Sequence, residues 1–170
     1  MEEETSVSEE LSGSAQRFQE ILRQRGYAHQ VIELPASTRT AKEAAQAVGC
    51  EPGQIVKSLV FKAAHSQKPL LVLASGPNRV DERRLSELVG EPIEKADADL
   101  VRQWTGFAVG GVPPLGHKEP VAAFIDETLL QYDTLWAAAG TPRAVFQLTP
   151  ADLRAMTDGR VVAIKEAPGE

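Results

Sequence analysis

The stretch that decides the fold of this chain is Gly106-Phe107-Ala108-Val109-Gly110-Gly111-Val112-Pro113-Pro114-Leu115-Gly116-His117. Its apolar residues 107–109 predict a short strand, and the glycine and proline pairs that follow predict a loop. Glycine lets a ligand approach the main chain, and proline fixes its own torsion angle. A flexible pair followed by a rigid pair predicts a loop of defined shape whose N–H groups face a ligand oxygen. A tight structural turn is the alternative.

A second informative segment lies upstream, in Gln54-Ile55-Val56-Lys57-Ser58-Leu59-Val60-Phe61-Lys62. This run is apolar and β-branched, which predicts a buried strand. Because strand side chains alternate between faces, residues 55, 57, 59 and 61 share one face, and Lys57 is the only charge on it. Such a lysine either binds an anion or, on an edge strand, reaches solvent.

The rest of the chain alternates between predicted helices and strands. Helices are predicted from a Ser14 cap to residue 25, at 40–49, from an Asp81 cap to residue 90, around 100–104, and after Thr149. Strands are predicted at 31–34, 70–74, 121–125, 135–138, 144–148 and 161–164. Residues 1–13 are predicted to form a disordered acidic tail. Residues 14–170 are predicted to form a single mixed α/β domain with a curved, largely antiparallel central sheet flanked by helices.

Charge and composition narrow the possible function classes. The chain carries 24 acidic and 18 basic residues, but five acids lie in the first ten positions, which leaves 19 against 18 in the remainder. Because acidic and basic residues nearly balance in this remainder, extensive phosphate binding is not expected, but a small basic rim around one pocket is allowed. Candidates for that rim are Lys42, Lys57, Lys62, Arg79, Arg83, Arg84, Lys118 and Arg143. No apolar run reaches membrane-spanning length, and the acidic start argues against the usual secretory signal.

Together, the lysine strand and the glycine loop resemble the YbaK/EbsC family of free-standing aminoacyl-tRNA editing proteins. That family is related to the insertion domain of bacterial prolyl-tRNA synthetase. The resemblance also includes Ala-Ala-Gln-Ala-Val-Gly at residues 44–49 and Leu-Thr-Pro-Ala-Asp-Leu at residues 148–153. It covers roughly residues 15–165, which is nearly the whole chain and the usual size of one domain. It implies the mixed α/β fold of that family and hydrolysis of the ester bond of mischarged tRNA.

The resemblance also implies roles for individual residues. Lys57 is expected to help bind the tRNA terminus, and the amides of Gly110 and Gly111 are expected to hold the ester carbonyl. The terminal ribose hydroxyl of the substrate is expected to take part in the reaction. The remaining substrate-binding residues implied by the loop are Pro113, Pro114 and Gly116.

Three further positions carry a functional and a structural interpretation. Ser58 stands where relatives place a small polar residue near the substrate, but it is equally interpreted as an ordinary strand hydroxyl. Gly140 ends the apolar run 135–139, where relatives place residues that line the substrate pocket, and is therefore a candidate substrate-binding residue, although relatives carry a polar side chain there; a hairpin glycine is the alternative. His117 is a candidate general base or a solvent-facing loop histidine.

The sequence contains no pattern typical of a covalent or metal-based mechanism. Cys50 is the single cysteine, the chain has three histidines, and Gly-x-Ser-x-Gly does not occur. Cys50 follows Gly49 and is interpreted as a small structural residue. We therefore expect no metal and no cofactor, with catalysis by positioning and main-chain electrostatics.

These observations predict a trans-acting aminoacyl-tRNA deacylase of the cytoplasm. The expected substrate is tRNA-Pro carrying alanine, cysteine, serine or threonine, contacted at the acceptor end. Prolyl-tRNA synthetase is a candidate partner, whereas neither DNA nor a membrane is an expected one. The alternative is a non-catalytic module of the same fold that binds a nucleotide or a tRNA end.

Overall fold

The computed structural model describes residues 11–34 and 40–167. Most of the predicted acidic tail, residues 1–10, lies outside the described residues. The described helices are α1 (Gly13–Gln24), α2 (Ala41–Val48), α3 (Glu82–Val89), α4 (Ala98–Thr105) and α5 (Pro150–Thr157). The described strands are β1 (Val31–Glu33), β2 (Ile55–Ala63), β3 (Pro69–Ser75), β4 (Ile93–Lys95), β5 (Ala122–Asp126), β6 (Leu135–Ala138), β7 (Ala144–Leu148) and β8 (Arg160–Val162).

The helix boundaries follow from short capping sequences. Thr40 and Thr149 each accept a hydrogen bond from the third residue of the helix that they precede, and both form complete capping boxes. Asp81 and Asp97 cap α3 and α4 through the same type of bond. The predicted caps Thr40, Asp81 and Thr149 are thereby confirmed.

The strands form one mixed sheet in the order β1-β7-β6-β2-β3-β5-β8, with β4 paired to β2 off this path. Four of the seven strand pairings among the described residues are antiparallel, and β2–β6, β3–β5 and β5–β8 are parallel. The mixed α/β prediction is confirmed, and β2 is a central strand. Lys57 is therefore not the edge-strand lysine of the alternative interpretation.

The two faces of the sheet bury separate apolar clusters. Val56 and Val60 pack on one face with α1, Phe107, Val112 and the β6–β7 hairpin. Phe61 packs on the other face with α3 and the end of the chain, with Leu59 against its border. This division confirms the predicted alternation along β2, which places the side chains of Lys57 and Ser58 on opposite faces.

Three sequence predictions differ from the structure, and one strand was not predicted. Residues 107–109 do not form a strand; Phe107 is buried beneath α1, and residues 109–110 form a turn. The first helix is capped by Ser12 rather than Ser14, because the Ser12 hydroxyl accepts from the Ala15 N–H. Strand β8 spans Arg160–Val162 instead of 161–164, and the short strand β4 was not predicted.

Candidate active site

Lys57 lies in the middle of β2 with a half-buried side chain. Its ammonium donates a hydrogen bond to the main-chain carbonyl of Asn78, with Nζ and O 2.7 Å apart. Burial lowers the pKa of this lysine below its usual value; the nearby Arg79 charge lowers it further, and Asp126 opposes the shift by raising it. A desolvated cation with one neutral partner retains strong attraction for an anionic ligand.

The carbonyl that receives Lys57 is held by a buried carboxylate. Asp126 is fully buried, and its Oδ2 accepts from the Asn78 side-chain amide at 2.8 Å and from the Ser75 N–H at 3.0 Å. Its Oδ1 accepts from the Thr128 N–H at 3.0 Å, and the Thr128 hydroxyl contacts the Asn78 amide at 3.1 Å. This network joins the ends of β3 and β5 and fixes the position of Asn78 relative to Lys57.

Two adjoining cavities meet at the centre of β2, and both are lined by Lys57, Ser58, Leu59 and Val109. We call them the charged lobe and the apolar lobe of one cleft. The charged lobe has a volume of about 510 Å³, and the apolar lobe has a volume of about 450 Å³. Both lobes have the size of small-molecule pockets.

The lobes differ in chemistry. The charged lobe is lined by Arg79, Glu82, Lys95 and Glu166, together with Val101 and Val112. The apolar lobe is lined by Gly110 and Trp136, with Ala41, Ala44, Ala138 and Pro142 among its other residues. Of the predicted basic rim, Lys57 and Arg79 line the cleft, whereas Lys62 forms a 3.0 Å ion pair with Glu94.

The glycine loop reaches the cleft through Gly110. Residues 108–111 form a turn in which the Gly111 N–H donates to the Ala108 carbonyl at 2.9 Å. Gly110 occupies the third position of this turn with φ +87°, the left-handed conformation that a type II turn requires. The Gly111 N–H is therefore engaged, whereas no hydrogen bond to the exposed Gly110 N–H is found among residues 11–34 and 40–167.

Ser58 has an unusual polar atom beside the cleft. Its hydroxyl oxygen is buried and has no hydrogen-bond partner within the described part of the chain. A buried hydroxyl without a partner costs about 1–3 kcal/mol. Ser58 lines both lobes, but its hydroxyl oxygen is not accessible from them.

The proline part of the loop lies apart from Lys57. Pro113 and Pro114 are buried, and Pro114, Gly116 and His117 line a third, shallower cavity of about 190 Å³. His117 contacts the Pro113 carbonyl through Nε2 at 2.7 Å, so this nitrogen carries the proton. The structure thus brings Lys57, Ser58 and Gly110 together but leaves Pro113, Pro114 and Gly116 as supports of the loop.

Gly140 is a packing residue in this structure. A Cβ at this position would meet the main-chain carbonyl oxygen of Ser14 at 2.6 Å, and φ is +109°. Its N–H donates to the Gly111 carbonyl at 2.9 Å, which ties the β6–β7 hairpin to the glycine loop. This hairpin-glycine geometry supports the structural interpretation and places Gly140 behind the loop.

Four residues of the cleft and its support were not predicted from the sequence: Asn78, Val109, Asp126 and Trp136. The acidic end of the apolar run Ala122–Asp126 was the available signal for a buried carboxylate. Asn78 and Trp136 have no comparable signal, because their positions depend on how the strands pair. Val109 is 57% exposed and lines both lobes of the cleft.

Three further features of the chain are its potential metal ligands, its single thiol and the apolar character of its helices. Within residues 11–34 and 40–167, no group of three His, Cys, Asp or Glu side chains is arranged to hold a metal ion. Cys50 is free, and burial, followed by the Glu51 charge, raises the pKa of its thiol. None of the described helices has the length and apolar character needed to cross a membrane.

Comparisons with known proteins agree with the fold. The protein is similar to a solved structure reported as "Crystal structure of a putative trans-editing enzyme for prolyl tRNA synthetase", with 54% identity and a TM-score of 0.88 over 92% of this chain and 99% of that one. It is 25% identical to the Enterococcus faecalis protein named "Putative Cys-tRNA(Pro)/Cys-tRNA(Cys) deacylase EbsC", over 74% of this chain and 76% of that one.

A proline–tRNA ligase of Limosilactobacillus fermentum is 34% identical over 53% of this chain, a match that spans only 16% of the ligase. The family model for the aminoacyl-tRNA editing domain matches residues 35–156, which include Lys57, Ser58 and the whole glycine loop. The chain therefore belongs to the aminoacyl-tRNA editing domain family.

Proposed function

We propose that this protein is a free-standing aminoacyl-tRNA deacylase that hydrolyses the ester bond of mischarged tRNA. The observation that carries the proposal is the convergence of Lys57, Ser58 and Gly110 on one cleft, in which the Lys57 ammonium has one neutral partner and the N–H of the exposed Gly110 has none among the described residues. Membership of the editing-domain family supports the same reaction.

The proposed mechanism relies on positioning rather than on a protein nucleophile. Lys57 binds the anionic end of the tRNA, because its half-buried ammonium keeps one neutral partner and favours a second, charged one. The free Gly110 N–H donates to the ester carbonyl oxygen and stabilises the negative charge that develops there. The terminal ribose hydroxyl of the substrate orients the attacking water.

The proposed substrate is tRNA-Pro that carries alanine, cysteine, serine or threonine. A synthetase pocket rejects smaller amino acids poorly, since each missing methylene group lowers the binding free energy by only about 1–3 kcal/mol. A separate site that admits small side chains corrects such errors. The apolar lobe, lined by Trp136 and Pro142 beside alanine residues, is the proposed site of that side chain.

The proposed contact with tRNA is confined to the acceptor end. The charge of the chain outside its first ten residues is nearly balanced, so a long phosphate track is not expected. Arg79 and Lys95 line the charged lobe and supply a local basic rim. Prolyl-tRNA synthetase is the proposed partner, because it is the source of mischarged tRNA-Pro.

The deciding experiment incubates the purified protein with a panel of tRNAs charged with each of these amino acids and with proline. We expect hydrolysis of at least one mischarged tRNA-Pro at a rate well above the uncatalysed rate, and no hydrolysis of Pro-tRNA-Pro. A well-folded protein that binds the tRNAs but hydrolyses none of them would instead identify the non-catalytic binding module.

A further inference from the structure

The central strand β2 is unpaired over a short stretch of one edge. On one side it pairs with β3 in unbroken register from Val56 to Lys62. On its other side, β6 covers only residues 55–56 and β4 covers only residues 61–63. Between these two short partners, no strand of the described chain covers residues 57–60, and both lobes of the cleft open there.

Ser58 directs its main-chain groups into this gap. In a regular strand, successive residues turn their N–H and C=O groups to alternate edges. The Ala63 N–H bonds to Lys68 on the β3 side, whereas the Val60 carbonyl accepts from the Ala96 N–H on the β4 side, at 3.1 Å. The unbroken register excludes a bulge, so Ser58 faces the same side as Val60.

Ser58 consequently presents three polar groups that lack a partner among the described residues. They are its main-chain N–H, its main-chain carbonyl and its buried hydroxyl. Unpaired N–H and C=O groups on a strand edge form a template for pairing with another segment. A donor and an acceptor on one strand residue also form the pattern that a second strand residue would satisfy.

We propose that the aminoacyl group of the substrate binds in this gap as a strand of one residue, paired with Ser58. Its amino group donates to the Ser58 carbonyl, and its ester carbonyl accepts from the Ser58 N–H. An aminoacyl ester is suited to this pairing because it carries its amino nitrogen and its carbonyl on one α-carbon. The inference rests on the proposed function and identifies how that site recognises its substrate.

This arrangement separates two tasks of the cleft. Main-chain pairing recognises the groups that all aminoacyl esters share, as in the addition of a peptide strand to a sheet edge. It leaves the choice of amino acid to the side chains that line the lobes. The ester carbonyl then lies between two main-chain donors, the N–H groups of Ser58 and Gly110, which favour charge development on its oxygen.

The first test changes the substrate and leaves the protein intact. The preferred aminoacyl-tRNA is compared with two other esters of the same tRNA. In the hydroxy ester a hydroxyl group replaces the α-amino group of the amino acid, and in the des-amino ester a hydrogen atom replaces it. Each rate is divided by the spontaneous hydrolysis rate of the same ester. We expect the des-amino ester to lose at least tenfold in kcat/KM and the hydroxy ester, which keeps one donor, to lose less. Equal normalised rates for all three esters would overturn the proposal while leaving the deacylase function established.

The second test is independent of turnover. The probe is 3′-deoxyadenosine that carries the amino acid through a 3′-amide, which the enzyme cannot hydrolyse as an ester. We expect saturation with this compound to slow amide hydrogen exchange of Ser58 at least tenfold. The Leu59 amide is the matched control, since it faces β3 and is already bonded. Bound probe with unchanged Ser58 exchange would contradict the pairing.

Discussion

The ammonium of Lys57 is fixed by the main-chain carbonyl of Asn78, with 2.7 Å between Nζ and O. Asn78 is in turn fixed through its side-chain amide by the fully buried Asp126. The position of a cation on β2 thus depends on a carboxylate at the end of β5.

Removing the Lys57 ammonium should reduce activity without loss of the fold. We expect Lys57→Ala to lower deacylation at least tenfold, which corresponds to about 1.4 kcal/mol of transition-state stabilisation. The matched control is Lys62→Ala, in the same strand but on its opposite face and paired with Glu94. Single-turnover rates with circular dichroism test this, and a folded Lys57→Ala protein at the wild-type rate would remove Lys57 from the mechanism.

The same lysine should oppose stability at neutral pH. Its pKa is lowered in the fold, chiefly by burial, so the folded state binds this proton less tightly than the unfolded chain does. The contribution of Lys57 to the free energy of unfolding therefore rises as the pH increases from its pKa in the folded protein to the ordinary pKa of lysine. The Lys57→Met substitution removes the cost of desolvating this half-buried ammonium. We expect the variant to unfold at the same or a higher temperature than the wild type at pH 7, and to lose activity. A clear drop in melting temperature would contradict this reasoning.

Asp126→Asn should affect both stability and the pH dependence of activity. An amide at this position cannot accept from all of the Ser75, Asn78 and Thr128 donors, and one buried donor without a partner costs about 1–3 kcal/mol. Loss of the negative charge also removes the interaction that raises the pKa of Lys57. We expect a lower urea midpoint and an alkaline loss of activity that begins at lower pH than in the wild type. An unchanged alkaline limb in the folded variant would show that Asp126 does not act through Lys57.

The two loop glycines should respond differently to alanine. At Gly110 a Cβ meets only Pro142, no closer than 3.6 Å, so the cost is the left-handed φ, roughly 1–2 kcal/mol. At Gly111 it would meet the main chain of Thr141 at 2.6 Å. Because the methyl group introduced at Gly110 would stand in the cleft beside the N–H and obstruct the ester oxygen, we expect Gly110→Ala to fold and to slow the chemical step about 100-fold, more than it weakens tRNA binding. Gly111→Ala should mainly destabilise the protein. Single-turnover rates, tRNA binding and urea unfolding separate the two effects, and a folded Gly110→Ala enzyme at full speed would exclude the oxyanion role.

His117 should contribute to stability rather than to chemistry. Burial lowers its pKa, the bond to Pro113 partly offsets this, and Arg25 lowers it further. The neutral ring therefore stabilises the fold above the ordinary histidine pKa, and this contribution is lost as the pH falls through the folded pKa. We expect His117→Ala to keep most of its activity and to lose this acid-dependent part of its stability. A folded but inactive His117→Ala enzyme would make His117 the acid–base residue.

Activity should not depend on a metal or on the single thiol. The raised pKa of Cys50 disfavours the thiolate that a nucleophile needs, and its Sγ contacts the Glu51 carbonyl at 3.4 Å, outside both lobes. We expect unchanged rates after treatment with EDTA and in Cys50→Ala. A large loss of activity with EDTA would indicate a bound metal, and a large loss in Cys50→Ala would indicate a covalent thiol route.

Local structure in this protein was largely determined by the sequence. The capping residues Thr40, Asp81 and Thr149 were predictable because each bonds to an N–H only three residues away. The faces of β2 were predictable because side-chain alternation is a local rule. This alternation is therefore sufficient to identify Lys57 as the only charge on an apolar face of the strand.

The tertiary structure alone decided which polar groups face the cleft. Residues 107–109 have the composition of a strand, but burial of Phe107 against α1 and the turn at Gly110 override that propensity. Asn78 and Asp126 meet Lys57 only because β3 pairs with both β2 and β5. The gap beside Ser58 exists because β4 and β6 are too short to meet along one edge. Pairing between segments far apart in the chain depends on the packing of the whole sheet, so no local pattern in the sequence encodes it.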